Sequence, residues 1–560
     1  MSKLPLKKWE ILNEDVTKPI IDVLLENRNL SPAHLEEFRL SERLYDPYLL
    51  KDMDKAVERI KKAINEREKI TIFGDYDVDG VVSTTLMLKF FKKLDVPVEY
   101  IIPSRQDDGY GLKPAGIEKA RKLGTRLLIT VDNGITSVEA VEKANAAGID
   151  VVIFDHHIQE GELPAAVAVV DPNRKDSSYP FKGLCGAGVV YKLFHAIGPA
   201  LFNEESFKHF MLMHLDLVAL ATIADVVPLK DENYSLVKFG LKSLNQTLRP
   251  GIVELKRVSG LLGKEITTTA VGYYMAPRLN VAGRLREADI ALKLLISETR
   301  DEASNLANQL NSLNTERQKL QENYIEQAIS IVESSGIKEN LAYIISGENW
   351  DPGLIGIVSG RLKDKYNRPV IAFSRDNDGN YVGSGRSTDS FHLTDALSRF
   401  SEMFVTYGGH HKAAGLTLAE ENFTTFTDLF VAFANSKMSE SELMSTLRID
   451  SVVAAEQLNT SLVRLINDIG PFGEENPEPV LLLQKARMKE IFMLSQGKHI
   501  KMIVRSANRD LECVWWRGGD LKNSISFDDY FDIAFKPSIN LWKGSENLQL
   551  VVEDLKPSED

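Results

Sequence analysis

At 560 residues the chain exceeds what one hydrophobic core normally serves, so two to four domains are expected from length alone. Its formal charge of −13 argues against a general nucleic-acid coat and leaves room only for a local basic groove around an acidic centre. Cys185 and Cys513 are the only cysteines, which supports neither a disulfide framework nor a thiolate metal site.

The start, MSKLPLKKWEILNED, lacks the continuous apolar core of a signal peptide. The longest apolar stretch, MLMHLDLVALATIA, runs 14 residues and contains His214 and Asp216. A soluble, cytoplasmic protein without a membrane anchor is therefore expected. From about residue 53 helical and extended patterns alternate: DKAVERIKKAINE, KITIF, VVSTTLMLKFFKK, VEYIIP, AGIEKARKLG, RLLITV, SVEAVEKANAAG and DVVIF. Such alternation predicts an α/β domain, a parallel sheet covered by helices. Residues 188–222 add helices, among them a strongly apolar one that runs into IADVVP. LREADIALKLL and EASNLANQLNSLNTERQKLQENYIEQAISIVE predict long helices between 285 and 333, a connector between lobes. A second α/β block begins at LAYIIS. After the polar NSKMSESEL, the runs HIKMIVRS, LECVWW and NLQLVVEDL predict a small β domain. The expected division is an N-terminal segment 1–50, a catalytic α/β domain 51–230, a helical connector 231–340, a second α/β domain 341–436 and a C-terminal β domain 447–560.

Polar residues cluster at the ends of the expected strands. GDYDVDG, with Asp75, Asp77 and Asp79, follows one strand; DNG at 132–134 follows another; DHH at 155–157 follows a third. In an open parallel sheet the strand C-terminal edge is where ligands bind, so the three clusters should converge. Asp225, at the end of the apolar helix, could add a fourth carboxylate. Crowded carboxylates repel one another unless something positive compensates, and carboxylate oxygens with imidazole nitrogens and no thiolate suit Mn²⁺ or Mg²⁺. A carboxylate between two cations can bridge them, and such a pair activates water for attack on phosphorus. No G-x-x-x-x-G-K-[ST] loop occurs, so nucleotide gripping by a P-loop is not the theme.

GDYDVDG, VDNG, DHH and ADVVPL, in that order, resemble the four motifs of the DHH phosphoesterase superfamily. APRLNVAGRL, GSGRS, GGHHKAAG and PFGEENPEPV further resemble the RecJ family of single-strand-specific 5′→3′ exonucleases, from YDPYLLKDMDKAVERI almost to the end. The resemblance implies a DHH domain, a DHHA1-type substrate domain and a C-terminal OB-like barrel that binds nucleic acid. It implies two metal ions, with Asp77 and Asp79 on different ions, Asp132 bridging them, and His156 and Asp225 completing one shell. His157 would face the scissile phosphate, and Asp155 would orient the histidines from outside the metal shell. Asp75 stays open between an outer ligand and a turn former. Some relatives carry a metal-binding histidine four residues before Asp77, where this chain has Phe73, so one metal has fewer protein ligands.

GSGRS and GGHHKAAG are expected to be small-residue loops that let a backbone approach phosphate, with Ser384, Arg386, Ser387 and His410 at hand. Arg105 and Arg284 are expected to hold further phosphates. In LECVWW, consecutive residues on a strand face opposite sides, so at most one of Trp515 and Trp516 should lie on a given face. The expected activity is removal of 5′-mononucleotides from single-stranded DNA in repair and recombination, by a monomer working beside a helicase and a single-strand-binding protein. Cutting the chain near residue 445 should then weaken the grip on long strands more than it slows cleavage of short ones. The rival readings are a DHH phosphoesterase for very short oligonucleotides or pAp, a pyrophosphatase, and a catalytically silent DNA-binding scaffold.

Overall fold

The computed structural model describes residues 7–30, 44–103, 111–284, 289–376, 378–439, 443–519, 522, 525, 529–542 and 544–558. The chain forms two compact units, one from residues 35–315 with 467–478 and the other from 1–34, 316–466 and 479–560.

The first strand, β1 (Lys8–Ile11), pairs in parallel with a strand near residue 447 in the second unit. The first unit is built on a five-stranded, wholly parallel sheet. Its strands are β2 (Ile70–Phe73), β3 (Val98–Ile101), β4 (Leu127–Val131), β5 (Asp150–Phe154) and β6 (Ala168–Val170), in the order β3–β2–β4–β5–β6. The runs ITIF and LLITV are buried at every position, as a strand covered on both faces requires. All five strands run the same way, so their C-terminal ends, and the polar clusters that follow, share one edge.

Three helices frame that edge: α1 (Val78–Lys93), α2 (Gly186–Leu201) and α3 (Glu204–Ala224). They pack through stacked and edge-on rings of Phe90, Phe194 and Phe210. Helix α3 is long and apolar enough to cross a membrane, but 67% of its most apolar window is buried inside the protein, and its Asp216 binds Arg249 at 3.0 Å.

Helix α4 (Asp231–Gln246) and the helices that follow it as far as residue 315 lie in the same unit. Leu236, Leu244, Ile252, Leu255, Leu294, Ala303 and Leu310 all join the hydrophobic core beside α1. Residues 231–315, read from the sequence as connector, therefore complete the core of the parallel-sheet unit. Charge pattern cannot reveal this, because an amphipathic helix reads alike whether it packs on its own domain or links two. Helix α5 (Arg300–Ser334) runs 35 residues, and its last turns, with Tyr324, Ala328 and Val332, belong to a core of the second unit.

The second unit carries a mixed sheet of β7 (Tyr343–Ser346), β8 (Val370–Arg375), β9 (Tyr381–Arg386), β10 (Phe404–Gly409) and β11 (Ala413–Leu418), ordered β10–β11–β9–β8–β7. The glycine motifs expected as loops lie largely on these strands. GSGR ends β9, GG ends β10 and AAG opens β11, which leaves only His410, His411 and Lys412 in the turn. Glycine is disfavoured in strands unless something must approach closely, so sequence propensity alone favours loops here.

Strand β12 (Thr446–Ile449) is β1's partner. The strands β13 (Ser451–Val452), β14 (Leu481–Leu494), β15 (His499–Ser506), β16 (Arg509–Trp515), β17 (Tyr530–Trp542) and β18 (Ser545–Pro557) follow in the order β13–β14–β15–β16–β18–β17. Pairing of β14 with β17 closes the last five into a barrel.

Candidate metal centre

Asp75, Asp77 and Asp79 occupy three different settings. Asp75 is 2% exposed and accepts the Tyr76 N–H at 2.8 Å. Asp77 is the N-cap of α1, its Oδ1 accepting the Gly80 N–H at 3.1 Å. Asp79 lies inside the first turn of α1, which begins three residues before the VVSTTLM run with which the sequence pattern begins that helix. Its carboxylate accepts the Gly186 and Ala187 N–H groups at 2.6 and 2.8 Å, so the N-terminus of α2 holds it in place. The sequence reading missed these two donors; the small residues of LCGAG were their only signal. It also missed Asn280, from the APRLNVAGRL motif, whose Oδ1 accepts the Val78 N–H at 3.0 Å.

Asp132 follows β4 with φ +63°, a left-handed conformation costly for most residues and tolerated by Asp. Its N–H reaches Phe154 O at 2.9 Å, extending the β4–β5 ladder by one residue. The Thr130 hydroxyl donates to Asn133 O, and Asn133 Nδ2 to Val131 O, so the turn is fixed from within. Asp155 joins this turn to the histidines. It accepts Ile135 N–H at 2.9 Å and His156 N–H at 2.8 Å, and its Oδ1 lies 2.7 Å from His157 Nδ1. Asn173 Nδ2 donates to His156 O at 2.6 Å, a support for the DHH loop that the sequence reading also missed.

Three overlapping ligand sets result, each with its atoms within 4.8 Å of one another: Asp79, His156 and Asp225; Asp75, Asp77 and Asp132; Asp132, His156 and His157. His156 Nε2 lies 3.1 Å from Asp132 Oδ1 and 3.7 Å from both Asp79 Oδ2 and Asp225 Oδ2. Asp132 and His156 each appear in two sets, which gives the cluster two ends. The four motifs are thus brought together, with Asp75 among the possible ligands. Phe73, where some relatives carry histidine, is 2% exposed and packs in an apolar core.

The electrostatics call for a cation. Burial, then the neighbouring Asp77, pushes Asp75 up to about 8. Burial, then Asp79, pushes Asp225 up to about 9 and raises Asp77 and Asp132. Asp225 Oδ2 is buried with no hydrogen-bond partner among the described residues. Carboxylates so placed either keep protons or share cations. Oxygen and imidazole donors without thiolate fit Mn²⁺ or Mg²⁺. Against the lowering effect of burial, the hydrogen bond and charge of Asp155 push His157 up to about 9. Against the raising effect of burial, the bond to His157 brings Asp155 down to about 2.

In the second unit Ser384 and Arg386 share one face of β9. Arg386 Nη1 donates to Gly385 O at 2.7 Å and reaches Ser384 Oγ at 3.3 Å. Gly415 lies opposite Ser384, and Gly408 opposite Gly415; space above both glycines is open to 4 Å. The result is a bare backbone shelf beside a guanidinium. Ser387 is 3% exposed and donates to Phe391 O at 2.7 Å, so it braces its own turn. His410 is exposed, its N–H held by Ala413 O. Arg105 lies outside the described residues; Arg284 ends the helix Ala276–Arg284, and its side chain lies outside them too. Trp515, the last residue of β16, is 8% exposed, and Trp516, in the turn that follows, is 54% exposed, so the two are divided by the end of the strand and not by alternation along it.

The DHH family, N-terminal domain, matches residues 69–222, the DHHA1 domain 338–436 and the RecJ OB domain 449–554. A strand-edge cluster of carboxylates and imidazoles in this fold defines a DHH-type phosphoesterase. The chain is 36% identical to the single-stranded-DNA-specific exonuclease RecJ of Bacillus subtilis, covering 99% of this chain and 71% of that protein. To the Haemophilus influenzae protein of that name it is 33% identical over the whole of both chains. The crystal structure of Thermus thermophilus RecJ in complex with Mn²⁺ has a TM-score of 0.83 and 26% identity, over 99% of this chain and 80% of that one. This chain belongs to the RecJ family.

Proposed function

We infer that this chain is a metal-dependent exonuclease specific for single-stranded DNA, working from the 5′ end and releasing 5′-mononucleotides. The observation that carries the reading is the overlap of ligand sets at Asp132 and His156 on the sheet edge. Asp79, His156 and Asp225 would hold one ion and Asp77, with Asp75 in reach, the other; Asp132 would lie between them. Bound Mn²⁺ or Mg²⁺ supplies Lewis-acid polarisation of the phosphodiester and lowers the pKa of water.

The chain's own groups do the rest. Asp155 fixes the His157 ring through Nδ1, so a protonated His157 presents Nε2–H to a phosphate oxygen. The N-terminus of α2 keeps Asp79 from turning away. Arg386 and Ser384, beside the open shelf of Gly408 and Gly415, favour a terminal 5′-phosphate, which carries more charge and more free oxygens than an internal diester. The barrel, with Trp516 exposed, offers an aromatic platform for unpaired bases. A cytoplasmic monomer handling strands from a helicase, in repair and recombination beside a single-strand-binding protein, completes the reading.

The test is digestion of end-labelled single-stranded and duplex oligonucleotides of several lengths with Mn²⁺. Stepwise loss from the 5′ end of single strands is expected. Preference for dinucleotides, digestion from the 3′ end, or no hydrolysis at all would reject the reading in favour of one of its rivals.

A further inference from the structure

The PFGEEN motif spans residues 471–476. In sequence it lies between the helix Thr460–Ile469 and β14 of the barrel, yet residues 467–478 belong to the parallel-sheet unit. Gly473 and Asn476 exchange both backbone hydrogen bonds, at 2.9 and 3.2 Å. The Asn476 side chain, 8% exposed, donates to Pro471 O at 2.9 Å. The motif is therefore a closed, self-braced turn.

That turn rests on the loop that leaves Asp225. Glu474 O accepts the Leu229 N–H at 2.8 Å, and Leu229 is 3% exposed. A Cβ on Gly473 would stand 2.6 Å from Leu229 Cδ1 and 3.1 Å from its Cγ, so a larger residue there must displace the Leu229 side chain, which is buried. Lys230 pairs with Glu475 at the rim. The loop itself is under tension: Val226, next to Asp225, has φ +58°, a conformation that β-branched residues avoid. It is also 65% exposed, so its own side chain is not what holds it there. Strained backbone persists only when its surroundings over-determine it. Among the described residues, fixed points beyond Val226 include Val227, packed against the core, Pro228, whose carbonyl accepts Asn233 Nδ2 at 3.0 Å, and Leu229, pinned by the turn.

We propose that the Gly473–Asn476 turn is a latch that positions Asp225 for cation binding by pinning Leu229. The proposal rests on Asp225 being a metal ligand. Residues 473–476 are then positioning residues, and the sequence that leads into the barrel also sets the geometry of one end of the cluster. A cut near residue 445 removes this turn, so it cannot separate strand grip from chemistry as the sequence reading expected.

The experiment uses the full chain without DNA. Mn²⁺ affinity is measured by calorimetry for the wild type, Gly473→Val, Asn476→Ala and Asp225→Asn, and amide exchange is followed in the wild type with and without Mn²⁺. Both turn variants are expected to weaken one Mn²⁺ by roughly ten- to a hundredfold, as loss of groups that orient a ligand does. Their kcat should return at raised Mn²⁺, which a generally unfolded variant could not show. Coupling is reciprocal, so Mn²⁺ should slow exchange at the Leu229, Gly473 and Asn476 amides together. The latch is overturned if Asp225→Asn weakens Mn²⁺ and neither turn variant does. It is equally overturned if Mn²⁺ protects residues 226–229 and leaves 473–476 unchanged, an outcome readable in the wild type even if a variant fails to fold. Undiminished Mn²⁺ affinity in Asp225→Asn would instead remove the ligand assignment itself.

Discussion

Substituting Gly186 by alanine adds one methyl group at the point where α2 meets the metal cluster. An ideal Cβ there would stand 2.7 Å from Asp132 Cβ, 3.0 Å from its Cα and 3.0 Å from its Oδ1. Comfortable carbon–carbon contact is about 3.5–4 Å, so Asp132 or the helix must move by roughly 1 Å. Asp132 is itself held in a left-handed turn and cannot swing aside as a long side chain would. Moving the helix instead breaks the Gly186 N–H bond to Asp79. Overpacking of this kind costs about 1–3 kcal/mol of stability, partly offset by up to about 1 kcal/mol of helix propensity gained over glycine. A displacement of about 1 Å in a reacting constellation costs on the order of a hundredfold in rate. Gly186→Ala should therefore melt only a few degrees lower while losing about two orders of magnitude in hydrolysis at fixed Mn²⁺. Gly188→Ala is the control, because the nearest atoms its Cβ would meet belong to the Leu184 side chain, Cδ2 at 3.3 Å and Cβ at 3.5 Å, close to ordinary contact and away from the metal cluster. The assay is single-turnover digestion of a labelled single strand across a Mn²⁺ series. Wild-type rates for Gly186→Ala would refute the reasoning, as would equal losses in the two variants.

Arg386→Ala should reduce the preference for 5′-phosphorylated over 5′-hydroxyl ends by about ten- to a hundredfold, the scale of one bidentate charge-assisted contact, and leave Mn²⁺ affinity unchanged; competition between the two substrates reads this directly. His214, 6% exposed, donates from Nδ1 to Phe210 O at 2.7 Å, and burial, then Arg249, lowers it from 6.5 to about 3. Its folded pKa lies below its unfolded one, so its contribution is complete above pH 6.5 and is lost as pH falls toward 3. At pH 5 the loss is about 2 kcal/mol. Urea unfolding of His214→Phe should show a pH 7.5-to-5 difference smaller by that amount than the wild type's; equal slopes would contradict it.

The convergence of GDYDVDG, DNG and DHH was legible because a parallel sheet puts all strand ends on one edge, a consequence of alternation alone. Alternation was the wrong ground for separating the two tryptophans, because β16 ends at Trp515 and Trp516 lies in the turn beyond it. What holds the cluster was not legible. The α2 N–H groups on Asp79 are backbone, and backbone donors leave no side-chain signature beyond small residues. The start of α1 at Val78 was hidden because Asp77 before it and Asp79 and Gly80 in its first turn read as loop when the capping role of Asp77 is unseen. GSGR and AAG were misread as loops because their strands are stabilised by cross-strand neighbours, Ala372 opposite Ser384 and Arg386 opposite Ala413, and not by the propensity of their own residues. The return of residues 467–478 to the parallel-sheet unit is a tertiary fact with no periodicity to announce it.

The most direct measurement counts the Mn²⁺ ions bound per chain in the wild type and in Asp132→Ala, without DNA, by calorimetry or electron paramagnetic resonance. With Asp132 shared between the two ends of the cluster, the wild type should bind two ions, and Asp132→Ala should weaken both together and lose roughly a thousandfold or more in hydrolysis. A single ion in the wild type, or an Asp132→Ala protein that keeps one site at full affinity, would contradict it.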